Sequence, residues 1–135
     1  MPADPARLDA AKGWLNKAVE DLRAGSHLLV AEPPLSGPAA FHAQQAAEKS
    51  MKALLTWRDV PFRKVHDLGE LGRQCAAIDP TLEAVCRRAE GLTVFAWAFR
   101  YPGEVEVPLD EAEDALAIAR DVYDAVLALV PALES

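Results

Sequence analysis

The chain has 135 residues, 51% apolar and 26% charged, which suits one folded domain with a real core and excludes a disordered or fibrous class. Its net charge of −7 argues against a broad nucleic-acid-binding surface. No apolar run is long enough to span a bilayer, the first residues lack the apolar core of a secretion signal, and Cys75 and Cys86 fit no metal-ligand spacing, so the expectation is a cytoplasmic protein with buried, reduced thiols.

The pattern is helical throughout, with no strand alternation, internal repeat or low-complexity segment. Helix 1 is expected from about Leu8 to Glu32, with Leu15, Ala18, Leu22, Gly25 and Leu29 on its apolar stripe, and Pro33-Pro34 stops it. Ser36 reads as the cap of helix 2, with Pro38 tolerated in the first turn, and the helix runs to about Trp57. A loop from Arg58 to His66 follows. Asp67 and Glu70 then resemble a capping box that opens a short helix 3 ending near Ile78. Asp79-Pro80 starts helix 4, expected to run on through Leu82, Val85, Ala89, Leu92 and Ala96 to Phe99, with Pro102 and Gly103 breaking it. Helix 5 carries Leu109, Ala112, Leu116, Ala119, Tyr123, Val126 and Val130 on one face, and its opening acids suit a helix N-terminus. Four long helices and one short one imply an all-α, up-down bundle.

Within helix 2, the segment Phe41–Leu55 departs from the ordinary amphipathic pattern. At about 100° per residue, Phe41, Gln45, Glu48, Lys52 and Leu55 share one narrow stripe. An apolar stripe of Ala40, Ala43, Ala47, Met51 and Leu54 runs beside it. An amide, a carboxylate and an amine therefore line the shoulder of the core instead of the opposite face. Two readings stand side by side: a surface Glu48–Lys52 pair worth about 0.3–0.5 kcal/mol, or groups held for a ligand or partner. Charge is unevenly spread. Residues 41–66 carry a local +3, through Lys49, Lys52, Arg58, Arg63 and Lys64 against Glu48 and Asp59, whereas residues 104–135 carry −8.

Other candidates are sparse. Arg100, at the end of helix 4, either satisfies the last carbonyls or aims its planar fork at a phosphate. His66 precedes a helix start, where it either orders the loop or carries a proton. His27 and His42 read as solvated. The three histidines share no metal spacing, so neither metal nor cofactor is expected.

Three segments together resemble the HEPN domain, a helical domain found in prokaryotes beside minimal nucleotidyltransferases. They are the stretch around Asp21 and Leu22 in helix 1; the Phe41–Leu55 segment with Gln45, Glu48, Lys49 and Lys52, followed by His66, Asp67 and Leu68; and Arg100, Tyr101 and Pro102 with Glu111 and Ala112 of the last helix. The likeness covers about residues 10–130 and implies one HEPN-like domain over 1–135, a four-to-five-helix bundle, usually a homodimer. It further implies a toxin–antitoxin-type pairing with a minimal nucleotidyltransferase, and, in many members, metal-independent endoribonuclease activity. The family's ribonuclease motif is an arginine followed four to six residues later by histidine, which would neutralise a phosphate and move protons. Here Arg100 is followed by Tyr101, Pro102, Gly103, Glu104, Val105, Glu106, Val107 and Pro108, with no histidine.

Two functional expectations follow, beside a purely structural dimer. The first is a dimeric subunit that pairs with a nucleotidyltransferase and binds nucleotide or partner through Gln45, Glu48, Lys49 and Lys52. The second is an RNA-cleaving toxin in which Arg100 works with Tyr101 or His66 as proton carrier. The aromatic residues Phe95, Trp97, Phe99 and Tyr101 span more than one face of helix 4 and point either to a subunit contact or to burial beneath the Arg58–Val65 loop.

Overall fold

The chain is described here from a computed structural model covering residues 4–97 and 106–131. Five α-helices are present: α1 (Pro5–Leu29), α2 (Ser36–Trp57), α3 (Leu68–Ile78), α4 (Glu83–Glu90) and α5 (Leu109–Leu127). No strand occurs among the described residues. The all-α bundle expected from periodicity is what forms.

The helix ends follow local chemistry. Asp4 caps α1 by accepting from the amides of Ala6 and Arg7, with Pro5 in the first turn, so the helix starts three residues before Leu8. At the other end Val30 closes α1 and its amide bonds to the His27 carbonyl, ahead of the expected stop at Glu32. Ser36 is not the cap of α2; it is the first helical residue, and Leu35 at the cap position supplies no side-chain acceptor. Asp67 caps α3 as expected, but Glu70 turns away to pair with Arg63, so the reciprocal half of the capping box is not made.

Helix 4 is a larger departure. Asp79 accepts from the Thr81 amide and opens a 3-10 turn over Pro80–Leu82, α4 follows, and the backbone tightens again into a 3-10 stretch over Gly91–Ala96. Glycine at 91 weakens the α-helix there, and Thr93-Val94-Phe95 brings two β-branched residues and an aromatic of low helix propensity. The tightened backbone brings the Thr93 hydroxyl 3.0 Å from the Leu68 amide, an otherwise unpaired donor at the start of α3. Leu82, Ala89, Leu92 and Ala96 are buried as expected, and Phe99 lies outside the described residues.

Helix α2 is central. It packs against α1, α3, α5 and the 3-10 stretch, and 13 of its 22 residues are buried. Small residues make this possible: Ala39, Ala40, Ala43, Ala46 and Ala47 are fully buried, and Met51, Leu54 and Leu55 fill the core below them. Each of those three larger side chains contributes about 1.5–3 kcal/mol by leaving water. At α1, a methyl group on Gly25 would meet Leu116 Cδ1 at 2.7 Å, so the absence of a side chain lets α1 and α5 close on one another. The α2 helix ends in paired turns, with the Asp59 and Val60 amides bonding to the Thr56 and Leu55 carbonyls, and Asp59 adopts φ 57°.

Candidate functional site

Because α2 is enclosed, the polar stripe read from its sequence lies inside the bundle. The Glu48 side chain is 4% exposed and that of Lys52 9%, so the pair is a buried one and not a surface one. Lys52 Nζ donates to Glu48 Oε2 at 2.8 Å. The ammonium also sits over the rings of Trp14 and Phe62, at 5.4 and 5.7 Å from their centroids. Those rings meet edge to face. Two aromatic faces therefore replace much of the water that the ammonium loses.

The second carboxylate oxygen points toward the 58–67 loop. Glu48 Oε1 accepts from His66 Nδ1 at 2.8 Å and from Gln44 Nε2 at 3.1 Å. A carboxylate only accepts, so the proton lies on His66 Nδ1 and its other nitrogen, Nε2, is the one Glu48 leaves unengaged. Gln44 Nε2 also donates to the His66 carbonyl at 3.1 Å, and Gln45 donates to Gln44 Oε1 at 2.6 Å. The loop histidine is thus held by ring and backbone together. Its side chain remains 47% exposed, with the Trp97 ring edge-to-face at 6.4 Å. Burial alone would raise the Glu48 pKa, but the hydrogen bonds from Lys52, His66 and Gln44 outweigh it and hold the carboxyl below its ordinary value.

Lys49 does not join this cluster. Its ammonium donates to Asp21 Oδ2 at 2.7 Å, and Asp21 Oδ1 accepts from His42 Nδ1 at 2.8 Å. Asp21 is buried and His42 is half-buried, so His42 is a paired group and not a solvated one. His42 and Glu48 differ by about 120° around the helix, which puts the two carboxylate–imidazole pairs on different flanks of α2.

Of the residues expected to act together, Glu48, Lys52 and His66 converge, Gln45 joins through Gln44, and Lys49 belongs to the other flank. Arg100 and Tyr101 lie outside the described residues, as does the Phe99 and Tyr101 half of the aromatic group. Trp97 is 43% exposed, while Phe95 packs against the small cluster of Ala39, Ala40, Val107 and Ala112. One member of the network, Gln44, was not singled out from the sequence, and Asp21 was named only as part of the helix 1 segment that resembles the family. Gln44 was detectable as the i,i+4 neighbour of Glu48. Asp21 was detectable as a carboxylate next to the apolar stripe of α1.

Cys75 and Cys86 are both buried and free. Among the described residues no three His, Cys, Asp or Glu side chains converge as metal ligands. No helix among them is long and apolar enough to cross a membrane. The family model that matches the chain is described as the HEPN domain, over residues 11–129. No curated protein and no solved structure matches it.

Proposed function

The chain belongs to the HEPN domain family, and from that membership we propose that it acts as a dimeric helical subunit paired with a minimal nucleotidyltransferase in a toxin–antitoxin-type system, binding its partner or a nucleotide on the His66 flank of α2. The observation that carries this reading is the buried Glu48, which fixes a half-exposed imidazole from the interior. A side chain that served only to close the loop would gain nothing from an open outer edge. The loop beside it exposes Arg58 and Lys64, while Arg63 is paired with Glu70. Exposed apolar side chains at Val94 and Trp97 supply contact area for a second chain.

The test is light-scattering mass in solution, followed by co-expression with a minimal nucleotidyltransferase, should one be encoded beside this chain. The expected outcome is a dimer that co-purifies with that protein, and a complex weakened by Trp97→Ser or by charge reversal at Arg58 and Lys64. A monomer that retains no partner would refute the proposal.

One observation favours a second reading, a metal-independent endoribonuclease. His66 with Nδ1–H bound to a buried carboxylate is arranged to move a proton at Nε2, the function for which the Arg100 motif lacks its histidine. His66 would take the proton of a ribose 2′-hydroxyl, whose oxygen attacks the adjacent phosphorus. The 5′-oxygen of the next nucleotide leaves as a hydroxyl with a proton from Tyr101 or solvent, and Arg100 neutralises the phosphate. Cleavage of total RNA or tRNA without added metal, lost in both His66→Ala and Arg100→Ala, is the expected result. Cleavage that survives His66→Ala would end this reading.

A further inference from the structure

Two thiols meet where α3 and α4 pack against each other. Gly72 permits the approach: a methyl group there would stand 3.1 Å from Cys86 Cβ and 3.8 Å from Cys86 Sγ. Cys75 follows three residues later, on the same face of α3. A disulfide requires Cα atoms roughly 4.4–6.8 Å apart, and the residue without a side chain at position 72 lets the two helices close to such a spacing. Both thiols are free, and they bond to one another. Cys75 is fully buried, and its Sγ also lies 3.6 Å from the Met51 carbonyl oxygen.

The two cysteines are not equivalent. Cys86 forms part of the wall of a groove of about 490 Å³ between α3 and α4, and Cys75 lies behind that wall. A small reagent entering the groove therefore meets Cys86 first. The bond to Cys75 holds the Cys86 thiol below its ordinary pKa against the opposing effect of burial. The same bond, and then burial, pushes the Cys75 thiol up. Access and proton affinity give one order: Cys86 supplies the thiolate, and Cys75 keeps its proton behind it. Charge in the groove is balanced, with Arg73 and Arg87 against Glu83 and Glu90, and Arg87 tied to Glu83 at 3.1 Å. That balance gives an anionic reagent no advantage and suits a small neutral one.

We propose that Cys86 and Cys75 form a peroxide-reactive pair, in which Cys86 is oxidised from the α3–α4 groove and Cys75 resolves it to a disulfide within the chain. The Cys86 thiolate attacks one oxygen of hydrogen peroxide, the O–O bond breaks, and the hydroxide that leaves takes up the proton Cys86 had lost, as water. Cys86 then carries a sulfenic acid. The Cys75 sulfur attacks it, the S–S bond forms, the S–O bond breaks, and the hydroxyl leaves with the Cys75 proton as a second water. Two thiols are oxidised and one peroxide is reduced to two waters. The bridge would tie α3, which begins two residues after His66, to the α4 segment that leads to Thr93, itself bonded to the Leu68 amide. The site is separate from the His66 flank and stands without the reading given to that flank.

The experiment treats the reduced, folded full chain with millimolar hydrogen peroxide, then alkylates it in denaturant, digests it with trypsin and weighs the peptides. Both cysteines lie between Arg73 and Arg87 with no lysine or arginine between them, so trypsin leaves them in one peptide. The expected product is that peptide unalkylated and lighter by two hydrogens, returning to two alkylated thiols after dithiothreitol. Brief exposure of the wild type with dimedone present is expected to label Cys86 and not Cys75. In Cys75→Ala the reaction is expected to stop at a trapped sulfenic acid on Cys86, and in Cys86→Ala the Cys75 thiol is expected to react at least about tenfold more slowly. Urea midpoints check that the variants fold, and the wild-type readouts need neither. Two alkylatable thiols after peroxide treatment overturn the proposal. So do a bridge between two copies of the peptide, sulfinic acid on Cys86 without a bridge, or dimedone on Cys75. These readouts need neither RNA nor a partner, so this proposal and the reading of the His66 flank fail separately.

Discussion

The sharpest consequence of the fold concerns the Glu48–Lys52 pair. As an exposed i,i+4 pair it would be worth about 0.3–0.5 kcal/mol. Enclosed by Trp14 of α1 and by Phe62 and His66 of the 58–67 loop, it obeys different arithmetic, because removing one partner leaves a buried charge behind. Such truncations cost about 3–5 kcal/mol. Lys52→Met is the cleanest perturbation, since the thioether keeps most of the volume between Trp14 and Phe62 while removing the ammonium. Glu48 would retain its bonds from His66 and Gln44, so the expected loss is about 2–4 kcal/mol, at the lower side of that range. For a chain of this length about 1 kcal/mol corresponds to roughly 3–5 °C in Tm, so a fall near 10 °C is expected. Glu48→Gln with Lys52→Met removes both charges and should recover part of the loss, with a coupling of about 1–3 kcal/mol in the double-mutant cycle. Urea unfolding of wild type, both single variants and the double variant measures it. A single-variant loss under 1 kcal/mol with additive effects would show that water reaches the pair, and the argument from burial would fail.

Other outcomes follow from the same geometry. Glu48 is held below its ordinary pKa of 4.5 in the folded state, so the folded protein binds its proton less readily than the unfolded chain. That stability is fully present above about pH 4.5 and is lost as pH falls through the depressed folded value; acid titration should show a loss that Glu48→Gln lacks. Gly13 lies exposed within α1 with nothing within 4 Å of an added methyl group, so Gly13→Ala should raise stability by about 0.5–1 kcal/mol in thermal unfolding. Gly72→Ala should lower it by about 1–3 kcal/mol, because the new methyl would stand 3.1 Å from Cys86 Cβ on a packed helix. Asp59→Gly should relieve the left-handed backbone at φ 57°, which costs about 1–2 kcal/mol for a residue with a side chain, at the expense of a weak exposed pair with Arg7; a net gain near 0.5 kcal/mol in urea unfolding is expected, and a loss would refute the strain argument.

Much of this protein is legible in the chain. The all-α class, the apolar face of α1, that of α5 apart from the exposed Leu109, and the Asp67 cap rest on local rules, because helical period and capping act over a few neighbouring residues. So does the oddity of Phe41–Leu55, where polar groups sit beside the core stripe. Burial was not legible, because periodicity places a residue on a face without saying what covers that face. Only the packing of α1 and the 58–67 loop against α2 turned Glu48 and Lys52 from shoulder residues into interior ones. The same packing brought His66, eighteen residues away in sequence, to Glu48 Oε1, and it sent Lys49 to Asp21 on another flank. The 3-10 stretch after Gly91 also belongs to tertiary structure, since its Thr93 answers a donor at the start of α3. Sequence alone therefore determined which residues carry charge and which helices hold them. The tertiary fold decided which charges meet, because desolvation and distance are set by neighbours far away along the chain.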